Sequence, residues 1–154
     1  MVEKIDPKSE SPFGTLYPFK SRYMKMGEHQ YHYIDEGEGP VILMLHGNPT
    51  WSFYFRNLVR MLKKNYRLIV PDHMGCGLSD KPQDYAYTLE THISNTLQLI
   101  QYLNLKSFHL MVHDWGGAIG FGVATRLVDK IKSITIQNTA AYTSTDIPKR
   151  IAFC

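Results

Sequence analysis

The sequence is poor in cysteine, in long apolar runs and in charge of one sign. Two cysteines in 154 residues, Cys76 and Cys154, cannot build a disulfide framework, and their spacing suggests no zinc site. No apolar run approaches the length of a membrane span, and the polar opening MVEKIDPKSESPFGT carries no apolar signal core. Lys and Arg number 17 against 14 Asp and Glu, a net charge of only +3. The cations fall in scattered pairs (Lys63-Lys64, Lys130 with Lys132, Lys149-Arg150) that read as solvated element ends, which argues against a nucleic-acid partner. A soluble, reducing, cytoplasmic setting is the expectation, with no membrane span, no metal and no cofactor implied.

What is present is globular. Hydrophobic residues make up 44% and aromatics 12%, enough for one core, and 154 residues leave no room for two compact domains. Residues 1–14, rich in charge, Ser and Pro, read as a loosely held arm. From Arg22 to Asp35 the pattern alternates around Gly27, which predicts a hairpin of half-exposed strands with Tyr31 and Tyr33 on one face and His32 and Ile34 on the other. Val41 to Leu45 is then continuously apolar, the mark of a strand buried on both faces. Similar runs follow at Arg67–Val70, Phe108–Val112 and Ile131–Ile136.

Between these runs lie segments with helical spacing. Phe55, Leu58, Val59 and Leu62 share one face, as do Leu89, Ile93, Leu97 and Ile100, and then Ile119, Val123 and Leu127. Thr88 is the expected N-cap of the second helix, and Glu90 sits where the helix dipole favours an anion. Strand and helix in this rhythm predict an α/β fold: a mostly parallel sheet with helices on both faces. Functional groups in such a sheet gather at the carboxyl ends of the strands. Three strand ends carry unusual residues: His46-Gly47-Asn48-Pro49, the stretch from Asp72 to Pro82, and His113-Asp114-Trp115-Gly116-Gly117.

The last of these leaves no room for a loop between the Phe108–Val112 strand and a helix beginning near Gly116. A sharp turn there lifts the apex residue, Asp114, into the open above the sheet, with Gly116 and Gly117 permitting close approach. Asp114 at a helix start has a plain reading as a cap and a chemical one as an ionised nucleophile. The neighbouring segments favour chemistry. A turn at His46-Gly47-Asn48-Pro49 can aim backbone N–H groups at the apex, Asn48 adds an amide, and Trp115 adds an indole N–H that only donates. Donors beside a carboxylate suit a reaction in which an anion leaves.

Leu45 to Ser52, Pro71-Asp72-His73-Met74-Gly75-Cys76-Gly77-Leu78-Ser79-Asp80-Lys81-Pro82, and Val112 to Gly117 together resemble the α/β-hydrolase superfamily. Within it they resemble the haloalkane dehalogenases and the related olefin-forming β-lactone decarboxylases, over roughly Tyr23 to Thr143. The resemblance implies that Asp114 is the nucleophile and forms an ester with an apolar substrate. It implies that backbone amides of Asn48 and Trp115 form the oxyanion hole, while their side chains hold the leaving group. Epoxide hydrolases usually carry an aromatic residue after His-Gly and a Gly two residues before the nucleophile; Asn48 and Val112 stand there instead.

The same resemblance calls for a water-activating His and an acid to orient it. Asn138 occupies the strand end where some relatives place that acid, and Asp146 lies beyond it. The acid and the His are therefore expected outside this sequence. On that reading residues 1–143 form the N-terminal half of a hydrolase core and 144–154 begin a helical cap. A second chain carrying the C-terminal half is a candidate partner, and Ile131–Ile136 is the sheet edge it would cover. Hydrolysis of a carbon–halogen bond is the first functional expectation, cleavage of a β-lactone to a long-chain alkene the second, and a non-catalytic subunit the third. The remaining conspicuous residues have structural readings: His46 shapes its turn, His113 packs under the elbow, Cys76 has no activating base, and His29, His32, His73, His92 and His109 show no ligand spacing.

Overall fold

Val41–Leu45 (β3) contains no polar residue, so a stable structure must cover both of its faces, and it does. Leu43 and Leu45 point into one hydrophobic layer and Met44 into the other, all fully buried. This computed structural model describes residues 13–139. The other strands are β1 (Arg22–Met26), β2 (His29–Glu36), β4 (Arg67–Pro71), β5 (Phe108–His113) and β6 (Ile131–Gln137). The helices are α1 (Arg56–Leu62), α2 (Leu89–Tyr102) and α3 (Trp115–Arg126).

The sheet runs β1-β2-β4-β3-β5-β6. The hairpin β1–β2 joins β4 antiparallel, and β4, β3, β5 and β6 are parallel. Ile93, Leu99 and Ile100 of α2 and Ile119 and Val123 of α3 pack with Leu43, Leu45, Leu110 and Val112 on one face. Val59 of α1, Phe55, Tyr17 and Phe19 pack with Ile34, Met44, Leu68 and Val70 on the other. Crossovers thus place one helix behind the sheet and two before it, and the three unusual strand ends share one edge.

Two expectations need correction. β2 is not half-exposed: Tyr31, His32 and Ile34 are fully buried and Tyr33 nearly so, because β4 pairs its far side and both layers cover its faces. The predicted sides do hold, with Tyr31 and Tyr33 in one layer and Ile34 in the other. Of the arm expected over 1–14, residues 1–12 lie outside the described span, but Phe13 is not loose. Its ring lies 5.1 Å from that of Trp51 and meets Tyr17 edge-on, so aromatic packing holds the chain from there onward. The cap expected over 144–154, and Asp146 within it, lie outside the described residues. β6 is the end strand of the sheet among the described residues, and its Ile136 is 55% exposed. No helix among them is long and apolar enough to cross a membrane.

The helix ends follow the sequence closely. Thr88 is extended (φ −91°, ψ 158°) and its Oγ1 accepts the Thr91 N–H at 3.2 Å, capping α2. Both carboxylate oxygens of Glu90 accept from one guanidinium nitrogen of Arg126 of α3, at 2.9 and 3.0 Å, an exposed contact that orients more than it stabilises. Thr88→Ala should lower the unfolding free energy by about 1 kcal/mol, the usual loss of a cap, read from the urea midpoint at unchanged slope.

Candidate active site

The last residue of β5, His113, is followed at once by α3, so a single residue must reverse the chain. Asp114 does so at φ 51°, ψ −127°, a conformation that L-residues rarely adopt and that costs about 1–3 kcal/mol. It persists because its backbone is held on three sides. Its carbonyl accepts the Gly117 N–H at 2.8 Å and the Thr139 hydroxyl at 2.8 Å, and its N–H reaches Gln137 O of β6 at 3.4 Å. The capping reading fails: the Asp114 side chain makes no bond to α3. Its Oδ1 instead accepts the backbone N–H of Asn48 at 2.9 Å, across the gap between the ends of β5 and β3.

That contact explains the glycines. A Cβ on Gly47 would lie 2.3 Å from Asp114 Oδ1, and one on Gly116 would lie 2.1 Å from the Leu45 carbonyl oxygen. Gly116 therefore lets α3 start against the end of β3, and Gly117 lets it pass Thr139, where a Cβ would sit 2.0 Å from the hydroxyl. The close approach of helix to its own strand falls instead at Gly120, against Val112.

Asn48 and Trp115 line one cavity of about 440 Å³, walled on its far side by the loop after β4 and by α2. Asp114 faces a second opening of about 280 Å³, shared with Trp115, Asn138 and Thr139, so Trp115 stands between the two. The predicted trio is thus brought together at one edge of the sheet. Trp115, 52% exposed, is the first residue of α3, so its amide belongs to the free first turn of the helix beside Asp114. Asn138, left-handed at φ 43°, lines the smaller opening beside Asp114.

The residues that motif reading set aside matter more than expected. His73, Cys76 and His92 all line the larger cavity. Cys76 is partly buried, which together with the Asp72 charge raises its thiol pKa and keeps it protonated. His46 donates Nδ1–H to Gly47 O at 2.7 Å and accepts the His73 backbone N–H on Nε2 at 2.9 Å, so it shapes two turns. His73 returns its Nε2–H to the His46 carbonyl at 3.2 Å. Burial lowers the pKa of both imidazoles, His73 well below the ordinary value, and neutral rings are what this bonding needs. His113, the residue before Asp114, stacks on Tyr54 with ring centroids 4.2 Å apart.

Asp72 is the least anticipated member. It is fully buried, and its carboxylate accepts Ser52 N–H at 2.7 Å, Leu78 N–H at 2.8 Å and His32 Nδ1–H at 2.9 Å. Burial alone would raise its pKa; the His32 bond and charge, with the two amides, outweigh it and hold the group below the usual carboxylate range. The signal in the sequence was only its place at a strand end ahead of Gly75 and Gly77.

The profile of the family described as alpha/beta hydrolase fold matches residues 40–152. The chain is 51% identical over 131 residues to a cis-3-alkyl-4-alkyloxetan-2-one decarboxylase of Shewanella oneidensis, covering 83% of this chain and 41% of that protein. It is 38% identical over 129 residues to haloalkane dehalogenase 2 of Mycobacterium bovis, covering 84% and 45%. The crystal structure of an ancestral haloalkane dehalogenase superposes with TM-score 0.71 at 32% identity, over 75% of this chain and 40% of that one. An epoxide hydrolase from Vigna radiata does so with TM-score 0.71 at 29%, over 77% and 38%. The backbone alone therefore does not separate these chemistries. The chain spans about two fifths of the length of the relatives it matches.

The buried groups fix a pH dependence. Imidazoles whose pKa is lowered on folding bind protons more readily in the unfolded chain, so their contribution is complete above the unfolded value of about 6.5 and is lost as pH falls below it. Asp72 adds a second loss below about pH 3.9. The urea midpoint should be flat above about pH 7 and begin to fall near 6.5, well before carboxylates titrate. A midpoint unchanged down to about pH 4.5 would contradict the neutral, buried histidines.

Proposed function

This chain belongs to the alpha/beta hydrolase fold family, and from that premise we propose that Asp114 is a nucleophile that forms an ester with an apolar substrate. The observation that carries this reading is the strained, uncapped Asp114 held against the Asn48 amide, in place of the helix cap its sequence position allows. Strain at a strand-to-helix turn is retained where it presents a side chain, and this one faces a cavity opening. The Asn48 and Trp115 amides serve as oxyanion donors, and their side chains receive the departing anion.

Two electrophiles fit such a site. With a haloalkane, a carboxylate oxygen of Asp114 forms the new C–O bond while the C–halogen pair leaves as halide. The ester then needs water, a base and an acid, which this reading places in sequence outside the 154 residues, on the same polypeptide or on a second chain packed along β6. With a β-lactone, attack by an Asp114 oxygen at the saturated ring carbon next to the ring oxygen forms the alkyl ester, breaks the alkyl C–O bond and frees a carboxylate. Loss of CO₂ then sends the C–C pair into a new double bond and returns Asp114 as carboxylate, giving an alkene without water. The sequence motifs put halide release first. The 51% identity to the oxetanone decarboxylase, against 38% to the dehalogenase, supports the lactone as the preferred substrate.

The test offers a long-chain bromoalkane and a long-chain β-lactone, following bromide, alkene and the intact mass of the protein. Catalytic alkene release with a slow or trapped bromoalkane ester is expected; catalytic bromide release restores the dehalogenase reading. Asp114→Asn should keep the fold and abolish both, and Trp115→Phe should slow the active substrate by about one to two powers of ten. Most activity surviving in Asp114→Ala would end the nucleophile assignment. If neither product nor adduct forms even with a C-terminal segment supplied, the chain is a non-catalytic subunit.

A further inference from the structure

Asp72 has no place in the chemistry above. It is fully buried and lines neither cavity, yet its carboxylate accepts backbone N–H groups from Ser52 after the β3 loop and from Leu78 in the loop after β4. We propose that Asp72 is a positioning residue whose carboxylate ties the loop after β3 to the loop after β4, and thereby sets the Asn48 amide against Asp114. The inference rests on reading the Asn48–Asp114 contact as functional.

The two oxygens divide the work. Oδ1 takes the Ser52 N–H at 2.7 Å, where the loop enters a 3-10 turn (Ser52–Phe55) four residues beyond Asn48. Oδ2 takes Leu78 N–H at 2.8 Å from the cavity-wall loop and His32 Nδ1–H at 2.9 Å from β2. The backbone of Asp72 is fixed as well: its N–H donates to His32 O at 2.9 Å and its carbonyl accepts the Ser79 hydroxyl at 2.6 Å. Gly77 makes room for this, since a Cβ there would fall 2.2 Å from Oδ2. Ser52 is also held through its hydroxyl by Tyr17. At its start the loop is held by the Gly47 carbonyl, which accepts from His46 Nδ1 at 2.7 Å and the Thr50 hydroxyl at 2.9 Å. Asn48 lies between these two anchors and is exposed.

A buried carboxylate is costly to desolvate, and an apolar residue would fill a core position at less cost. What the carboxylate supplies is a demand for several donors at once, and two of the three that meet it are backbone amides, one opening the 3-10 turn after the β3 loop and one in the loop after β4. Those amides have no strand to pair with, so without Asp72 the loops lose the bond that fixes them to the sheet. The His46–His73 exchange is a second tie between the same loops, nearer the strand ends, and it leaves Ser52 and Leu78 untouched.

The test is amide hydrogen exchange by NMR on the full chain, with Asp72→Ala. Asn48, Ser52 and Leu78 should exchange at least about tenfold faster, while Leu43 and Leu110 in the strands keep their protection. Unchanged exchange at Asn48, or an equal loss throughout the sheet, overturns the proposal. If Asp72→Ala does not fold, Asp72→Asn decides. A carboxamide oxygen serves only one loop, so one of Ser52 and Leu78 should stay protected and the other should not, and equal protection of both overturns it. As a second readout, ester formation at Asp114 from a bromoalkane should slow by about ten- to a hundredfold in whichever variant frees Asn48. Absence of ester in the unsubstituted protein would count against the nucleophile reading, and the exchange result would still decide the role of Asp72.

Discussion

The candidate site depends on one close approach, that of the first turn of α3 to the end of β3. Gly116 permits it, because any Cβ there would run into the Leu45 carbonyl. Once α3 starts at that place, Asp114 has no choice of conformation. It must turn the chain alone at positive φ, with its side chain directed across to the neighbouring loop and away from its own helix. Gly47 then has to lack a side chain as well, and the next residue, Asn48, brings its N–H within 2.9 Å of the carboxylate. Position and strain of Asp114 share this cause, the packing of α3 against the sheet, while the Asn48 amide that meets it comes from a loop.

Much of this was legible in the sequence, and the reason is local. Buried parallel strands must be apolar throughout, so Val41–Leu45 and Phe108–Val112 announced themselves. A strand running into a helix without a loop can make only one kind of turn. Thr88 and Glu90 marked a helix start by chemistry confined to a single turn. What was not legible depends on residues far apart in sequence. β2 reads as half-exposed by its alternation, yet β4, more than thirty residues later, pairs with it and the two layers close over it. Asp72 looked like one polar residue in a glycine-rich stretch. Its partners His32 and Ser52 are 40 and 20 residues away, and nothing local predicts that three donors would converge on it.

The electrostatics of this edge are arranged in two depths. Below lies a single ionised carboxylate, Asp72, surrounded by fixed donors, with neutral His46 and His73 linking the adjoining turns through complementary bonds. Neutrality matters there, because a protonated His46 could not accept the His73 amide. Above lies Asp114, partly exposed and bonded through one oxygen to one amide among the contacts described. The lower carboxylate has donors on both oxygens; the upper one, among the contacts described, has a donor on one, which is the state the proposed nucleophile needs. Two acids of the same type are thus separated in role by how many donors the backbone brings to each.

On the role proposed for Asp114, the same separation suits either of the two chemistries for which its relatives are named. Displacing halide and opening a strained lactone both require a carboxylate with a free oxygen and donors placed where negative charge appears. Neither difference between them is written into the sheet edge: one substrate releases a spherical anion and the other a tethered carboxylate. What distinguishes them is the fate of the ester. A halide-derived ester stays until water is activated against it, whereas a lactone-derived ester carries its own exit in the adjacent carboxylate. A site built for the second reaction therefore gains from excluding water and needs little beyond Asp114 and its donors. On the cavity wall His73, Cys76 and His92 are uncharged, the thiol protonated and the imidazoles held toward neutrality by burial, and Lys81 is the cation that lines the same cavity.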